Sequence, residues 1–294
     1  MTPVIAPAGT VDAHFHVWDP ARREHAWLAG LPSLVRRFDV ADLEAVARPC
    51  GVDRAVLVQV LDDLDETREF LELAGPDPYV AGVVGWLDLT RPDVADQVAS
   101  LRSGPGGHKL VGFRHLVQDE PDPAWLERPD VVAGLAAATG EGLTFDLLVR
   151  PVQLPAAVAV ARRLEGARVV LDHGAKPPIA TGDDSPWRAG VRELARLEYV
   201  SCKVSGLVTE AGPGWTADSV RPYVEELLEL FGPERLVYGS DWPVLADVAT
   251  YAEVVEVARG ALVVLGPGEL DDVFSRNARR VYQLDGAGPA GPAS

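Results

Sequence analysis

Eight short apolar, β-branched runs recur along the 294-residue chain, their starts 25 to 43 residues apart, and this recurrence constrains the fold more than any other feature. The runs are Val11–Val17, Arg54–Val60, Val80–Trp86, Lys109–Arg114, Leu143–Val149, Arg168–His173, Tyr199–Ser205 and Leu236–Ser240. Each interval accommodates one βα unit of about 30 residues. Helically spaced segments lie between them: Asp39–Arg48, Leu64–Ala74, Asp93–Leu101, Leu154–Leu164, Trp187–Leu197 and Thr216–Phe231. Strands that are apolar along their whole length and alternate with helices belong to a parallel sheet covered on its outer face. Eight such units predict a single closed (β/α)8 barrel, a TIM barrel; an open doubly wound sheet is the competitor, but would usually need fewer strands. No linker or shift of composition divides residues 1–284, and the closing stretch 285–294, "DGAGPAGPAS", reads as a disordered tail.

The charge balance bears on partners. With 44 acidic against 27 basic residues the formal net charge is −17, so binding a phosphate backbone is an improbable task and no nucleic-acid partner is expected. A pocket can differ in sign from the surface around it, so a small-molecule substrate stays open. No apolar run approaches the roughly 20 residues needed to span a bilayer, and the N-terminus lacks the pattern of a signal peptide. The expectation is a cytoplasmic protein with no membrane partner; whether it is a homo-oligomer stays open. Cys50 and Cys202 show no metal-type spacing and read as ordinary buried thiols.

A barrel gives the stretch "VDAHFHVWD" (Val11–Asp19) a specific meaning. Alternate residues of a strand share a face, so Asp12, His14 and His16 are expected to point the same way, with His16 nearest the C-terminal end where barrel active sites are built. A lone strand histidine is more often packed than functional, but two at this spacing favour a site. Polar groups also gather at the ends of other runs: Gln59, Arg114 and His115, Asp146 and Arg150, Asp172, His173 and Lys176, Lys203 and Ser205, and Asp241. Lys203 lies in an otherwise apolar strand, where an unpaired ammonium is costly, so it has either an anionic ligand or a buried carboxylate partner. Lys176, before a Pro-Pro turn, reads as a solvated loop residue.

Five motifs in order, HxH on the first run, "LDHGAKPP" on the sixth, "CKVSGL" on the seventh, "GSDWP" on the eighth and a closing "NARRVY", resemble the amidohydrolase superfamily. More closely, the chain resembles the amidohydrolase-related lactonases, a branch that includes L-fuconolactonase, L-rhamnono-lactonase and 2-pyrone-4,6-dicarboxylate lactonase. The likeness runs from about residue 10 to 284 and includes the "WDP" after HxH and the "RHLVQDEPD" stretch at Arg114–Asp122. It implies an amidohydrolase-type TIM barrel and a hydrolase that opens the lactone of a sugar acid or a related carboxylated lactone.

Lactone hydrolysis needs an activated water, an electrophile for the carbonyl oxygen and groups that hold the substrate. Asp241 is placed to be the general base, or else caps the Trp-Pro turn that follows it. His14, His16 and His173 would polarise the carbonyl, directly or through a metal. Arg114 offers a fork of donors for a carboxylate or diol, or else pairs with a rim acid such as Asp146. Gln59, His115, Asp146 and Lys203 complete the expected substrate-binding set. A single zinc ion on His14, His16, His173 and Asp241 is compatible with the resemblance, whereas Asp146 on the fifth run argues against a binuclear site. The branch is understood to need no metal, so hydrolysis without a required cofactor is the expectation. A metal-dependent decarboxylase of an aromatic or unsaturated acid and a non-catalytic ligand-binding barrel are the two alternatives.

Overall fold

A computed structural model describes residues 5–285. The tail expected to be disordered lies, from residue 286 on, outside the described residues. Eight parallel strands among them form one sheet in sequence order: β1 (Thr10–Phe15), β2 (Val52–Val58), β3 (Val80–Gly85), β4 (Leu110–His115), β5 (Thr144–Leu147), β6 (Val169–Leu171), β7 (Val200–Val204) and β8 (Leu236–Tyr238). The ring closes just past β8. Phe15 bridges Trp242 in parallel, the Asp241 N–H donates to the His14 carbonyl at 2.9 Å and the His16 N–H to the Trp242 carbonyl at 2.8 Å. The expected (β/α)8 barrel is the observed one.

Helices cover the outside: α1 (Val40–Ala47), α2 (Leu64–Ala74), α3 (Val94–Ser103), α4 (Pro129–Gly140), α5 (Leu154–Ala161), α6 (Ser185–Ala195), the short α7 (Leu207–Ala211), α8 (Ala217–Phe231) and α9 (Tyr251–Ala261). None of them is long and apolar enough to cross a membrane. Three of these, α4, the short α7 and α9, are absent from the six segments read from the sequence. Helix α9 nevertheless carries a start signal, because the Thr250 hydroxyl accepts from the Glu253 N–H while the Glu253 carboxylate accepts from the Thr250 N–H. Helix α4, "PDVVAGLAAATG", is mostly small residues and lacks a clear amphipathic stripe.

Several apolar runs end earlier than their hydrophobicity indicates, and two of the early endings release a chemical group into the barrel mouth. Strand β6 stops at Leu171 and β8 at Tyr238, so His173 and Asp241 lie on connecting segments. Strand β1 breaks its own alternation. Asp12 pairs with Ala55 and Phe15 with Leu57, so three steps on β1 match two on β2, and this bulge shifts the pleat between them. The outcome corrects the expectation for Asp12. Val11 and Ala13 fill the barrel interior, His14 and His16 take over the inward direction after the bulge, and Asp12 faces the helical layer, where Tyr251 of α9 donates to it at 2.9 Å.

Candidate active site

The mouth of the barrel brings together the four residues expected at its centre. His14 Nε2 lies 3.2 Å from His16 Nε2, and Asp241 Oδ1 lies 3.7 Å from His14 Nε2, 3.4 Å from His16 Nε2 and 3.8 Å from His173 Nε2. Backbone strain helps to place two of them. Asp241 has φ 63°, and His173, Gly174, Ala175 and Lys176 make a left-handed turn with φ between 50° and 61°. Each non-glycine residue there costs about 1–2 kcal/mol, and such conformations persist only where the surroundings impose them. Here the Trp187 indole donates to the Gly174 carbonyl at 2.6 Å, and His173 Nδ1 meets the Ser205 hydroxyl at 2.8 Å. Gly206 completes the fit, since a Cβ on it would lie 2.7 Å from His173 Nδ1.

Beneath this cluster lies a dry ionic layer. Lys203 Nζ contacts Asp146 Oδ2 at 2.5 Å, Asp172 Oδ1 at 2.8 Å and His14 Nδ1 at 3.1 Å, and all four side chains are wholly buried. Tyr282 donates its hydroxyl to Asp146 at 2.7 Å. Lys203 and Asp146 therefore do not face the cavity, which corrects their expected role in substrate contact; the carboxylate partner is the explanation of the buried lysine. Arg114 pairs with Asp172 (Nη1 to Oδ2, 3.1 Å) rather than with Asp146, and donates to both Gln59 oxygens, at 2.6 Å to the carbonyl and 2.9 Å to the side chain. Gln59 is fully buried and holds Arg114 in place instead of meeting a ligand. His115 turns away altogether. It stacks on Trp125 at 4.1 Å, accepts from the Trp86 indole at 3.0 Å and donates to Glu120 at 2.8 Å.

Above the cluster opens a cavity of about 250 Å³, a volume suited to one small molecule. His16, His173, Asp241 and Arg114 line its floor, and Trp27, Gln118, Asp119, Arg150, Lys176 and Val244 form much of its wall. Lys176 is thus a wall residue, correcting its reading as a solvated loop lysine; the left-handed turn aims it inward and Glu210 anchors it at 2.9 Å. Trp27 was not among the expected site residues, and no motif near it carried a signal. Asp172, the hub between Arg114 and Lys203, was in view as part of "LDH" but had no assigned role.

Electrostatics divide the labour. Burial pushes His14 well below its ordinary value of 6.5, helped by the Lys203 charge, and burial takes His173 down to about 4, so both are neutral at pH 7. Burial would raise the Asp241 carboxyl, but the imidazoles, His173 foremost, outweigh it in the acid range where they carry charge and hold Asp241 well below 3.8. It stands as an ionised carboxylate at the cavity floor. Burial also raises Asp146, against the pull of Lys203. The site thus offers a proton acceptor and the neutral rings of His14 and His173, with three cations around it, Arg114 at the floor and Arg150 and Lys176 on the walls.

The amidohydrolase family profile matches residues 11–284. The chain belongs to the amidohydrolase family. Among curated relatives of this amidohydrolase are the L-fucono-1,5-lactonases of Burkholderia ambifaria, 39% identical over 94% of this chain and 96% of the relative, and of Burkholderia multivorans, 38% identical over 93% and 96%. Among solved structures, a crystal structure of an amidohydrolase from Burkholderia multivorans with bound zinc superposes with a TM-score of 0.88 at 36% identity, covering 94% of this chain and all of that one.

The donor set can be tested for such an ion. Ligands about 2 Å from zinc at tetrahedral angles sit roughly 3.3 Å apart, close to the 3.2–3.7 Å separations among the His14, His16 and Asp241 atoms, while His173 joins them through its 3.8 Å approach to Asp241. His16 is set up as a ligand, because its Nδ1 donates to the Val58 carbonyl at 2.8 Å and leaves Nε2 bare. His16 and Asp241, with His14 once its Nε2 is free of a proton, would hold the ion, which would polarise a carbonyl as a Lewis acid.

Proposed function

We propose that the protein is a lactonase that opens the cyclic ester of a sugar acid, with Asp241 as general base. The observation that carries this reading is the Asp241 carboxyl group at the floor of a cavity sized for one small ring, 3.4–3.8 Å from ring nitrogens of His14, His16 and His173. The two curated relatives named above act on a sugar-acid lactone, which supports the same substrate class. Water held at Asp241 gives a proton to its carboxylate and attacks the carbonyl carbon, and negative charge gathers on the carbonyl oxygen. His173 and the fork of Arg114 line the floor where donors to that oxygen are needed. The bond from the carbonyl carbon to the ring oxygen then breaks, the ring oxygen takes the proton back from Asp241, and the acid product ionises.

The cationic wall suits that outcome. In a chain of net charge −17, three cations kept at one cavity match the carboxylate that hydrolysis creates. We propose that Arg150 and Lys176 bind substrate hydroxyls and the nascent carboxylate, with Trp27 packing on the ring. Proton release in weak buffer across a panel of sugar-acid lactones is the direct assay, and turnover is expected to survive a chelator. Asp241→Asn should lower kcat by about a thousandfold with little change in the melting temperature. Unchanged kcat in that variant would remove Asp241 from the chemistry.

A further inference from the structure

Lys203 is the largest charged side chain sealed from water in this barrel, and the reaction outlined above does not use it. An ammonium has three N–H donors and no acceptor, so whatever it touches must accept. Two of its neighbours are the carboxylates of Asp146 and Asp172, and the third is His14 Nδ1 at 3.1 Å. With no exposed surface, Lys203 has no water to take the third hydrogen.

The other side of the same imidazole faces a second donor-only group, Arg114 Nη1, at 3.1 Å from His14 Nε2. A neutral imidazole has one acceptor nitrogen, so it can satisfy only one of the two cations. Burial decides between them. Arg114 reaches the cavity and can offer its remaining N–H to water or substrate, whereas Lys203 cannot. A proton on Nδ1 would instead be driven against the ammonium in a dry interior, where unpaired donors are costly.

We propose that Lys203 is a positioning residue that fixes the tautomer of His14: it donates to Nδ1 and so keeps the ring's single proton on Nε2, at the point between His16, His173 and Asp241. The neighbouring geometry agrees. His16 Nε2, left bare by the bond from Nδ1 to Val58, is 3.2 Å away and accepts that proton. Histidine ligands of metals ordinarily donate their second nitrogen to a carboxylate or carbonyl. His14 has an ammonium in that place, while the carboxylate that could take over, Asp172 Oδ1, stands 3.6 Å from Nδ1 and is held by Lys203 at 2.8 Å. Lys203 therefore sets the cluster to hold a proton where zinc would otherwise sit, and this holds whichever ester the enzyme opens.

The test has two parts. In wild-type protein labelled with 15N at histidine, long-range proton–nitrogen spectra report the tautomer, with the His14 signals assigned by their loss in His14→Asn. The expected result is a protonated Nε2 and a bare Nδ1; the opposite tautomer overturns the proposal. Lys203→Met combined with Asp146→Asn keeps the net charge and frees His14 to donate to Asp172. Zinc titrated calorimetrically into that variant should bind at least tenfold more tightly than to wild type, and equal or weaker binding in a variant with wild-type circular dichroism also overturns it. The spectrum of the wild-type protein decides the matter if the variant does not fold.

Discussion

Two sets of side chains fill the inside of this barrel, and they obey different rules. One is apolar: Val11, Ala13, Val56, Val84, Val170 and Val237, sealed by Ala278, Val281 and Tyr282 from the C-terminal segment. The other is ionic: His14, Arg114, Asp146, Asp172 and Lys203. Both are dry. The apolar set needs only volume and shape, so neighbours can compensate for a small change. The ionic set needs each partner by name, because removing one leaves another charge buried without compensation. Tyr282 joins the two, packing its ring in the first and donating its hydroxyl to Asp146 in the second.

The sharpest way to break the contrast is Arg114→Met. It removes the cation that pairs Asp172 at 3.1 Å while preserving much of the volume, so urea unfolding should show a loss of about 3–5 kcal/mol together with a fall in kcat. A loss below about 1 kcal/mol would mean that the ionic layer tolerates an unpaired charge and the contrast is false.

Another buried carboxylate sharpens the comparison because it has no cation within ion-pair distance among the described residues. Glu66 of α2 accepts the backbone N–H groups of Val60 and Leu61, at 2.8 and 2.9 Å, and burial raises its pKa from 4.5 to about 7 despite them. A carboxyl raised in the folded state binds a proton that the unfolded chain has already lost, so stability falls as pH rises through this window. Between pH 4.5 and 7 the fall should reach up to about 3 kcal/mol, and Glu66→Gln should flatten it. Chemical denaturation at a series of pH values checks both; equal slopes in the two proteins would show that Glu66 titrates as an ordinary surface acid.

The smallest effect belongs to the apolar set. Val170→Ala deletes two methyl groups from a fully packed site and should cost about 2 kcal/mol, with kcat unchanged. A large drop in kcat at unchanged stability would tie the apolar filling to the geometry above it, and the two layers could no longer be treated as separable.

Much of this organisation was legible in the residues themselves. Parallel barrel strands are buried on both faces and so read as continuous apolar runs, which is why all eight were found. Helix α4 escaped because small residues lack a marked stripe, and α9 escaped although its Thr250–Glu253 capping box was readable. The central residues His14, His16, His173 and Asp241 stood at strand ends, where a barrel collects its chemistry, and the fold does bring them together. Gln59, His115, Asp146 and Lys203 stood in similar positions and face elsewhere, since a strand position does not say which way a side chain turns when the strand ends or bulges.

The division between the two sources of information has a physical basis. Local pattern determined that the chain is a (β/α)8 barrel with imidazoles and a carboxylate at its mouth, because alternation of apolar runs and helices is a property of neighbours in sequence. The tertiary structure alone decided that Asp12 faces the helices, that Lys176 faces the cavity and that Lys203 is clamped between two carboxylates against His14. Those contacts join residues such as His14 and Lys203 that are 189 positions apart, and their free energy depends on burial and on partners that no local stretch contains.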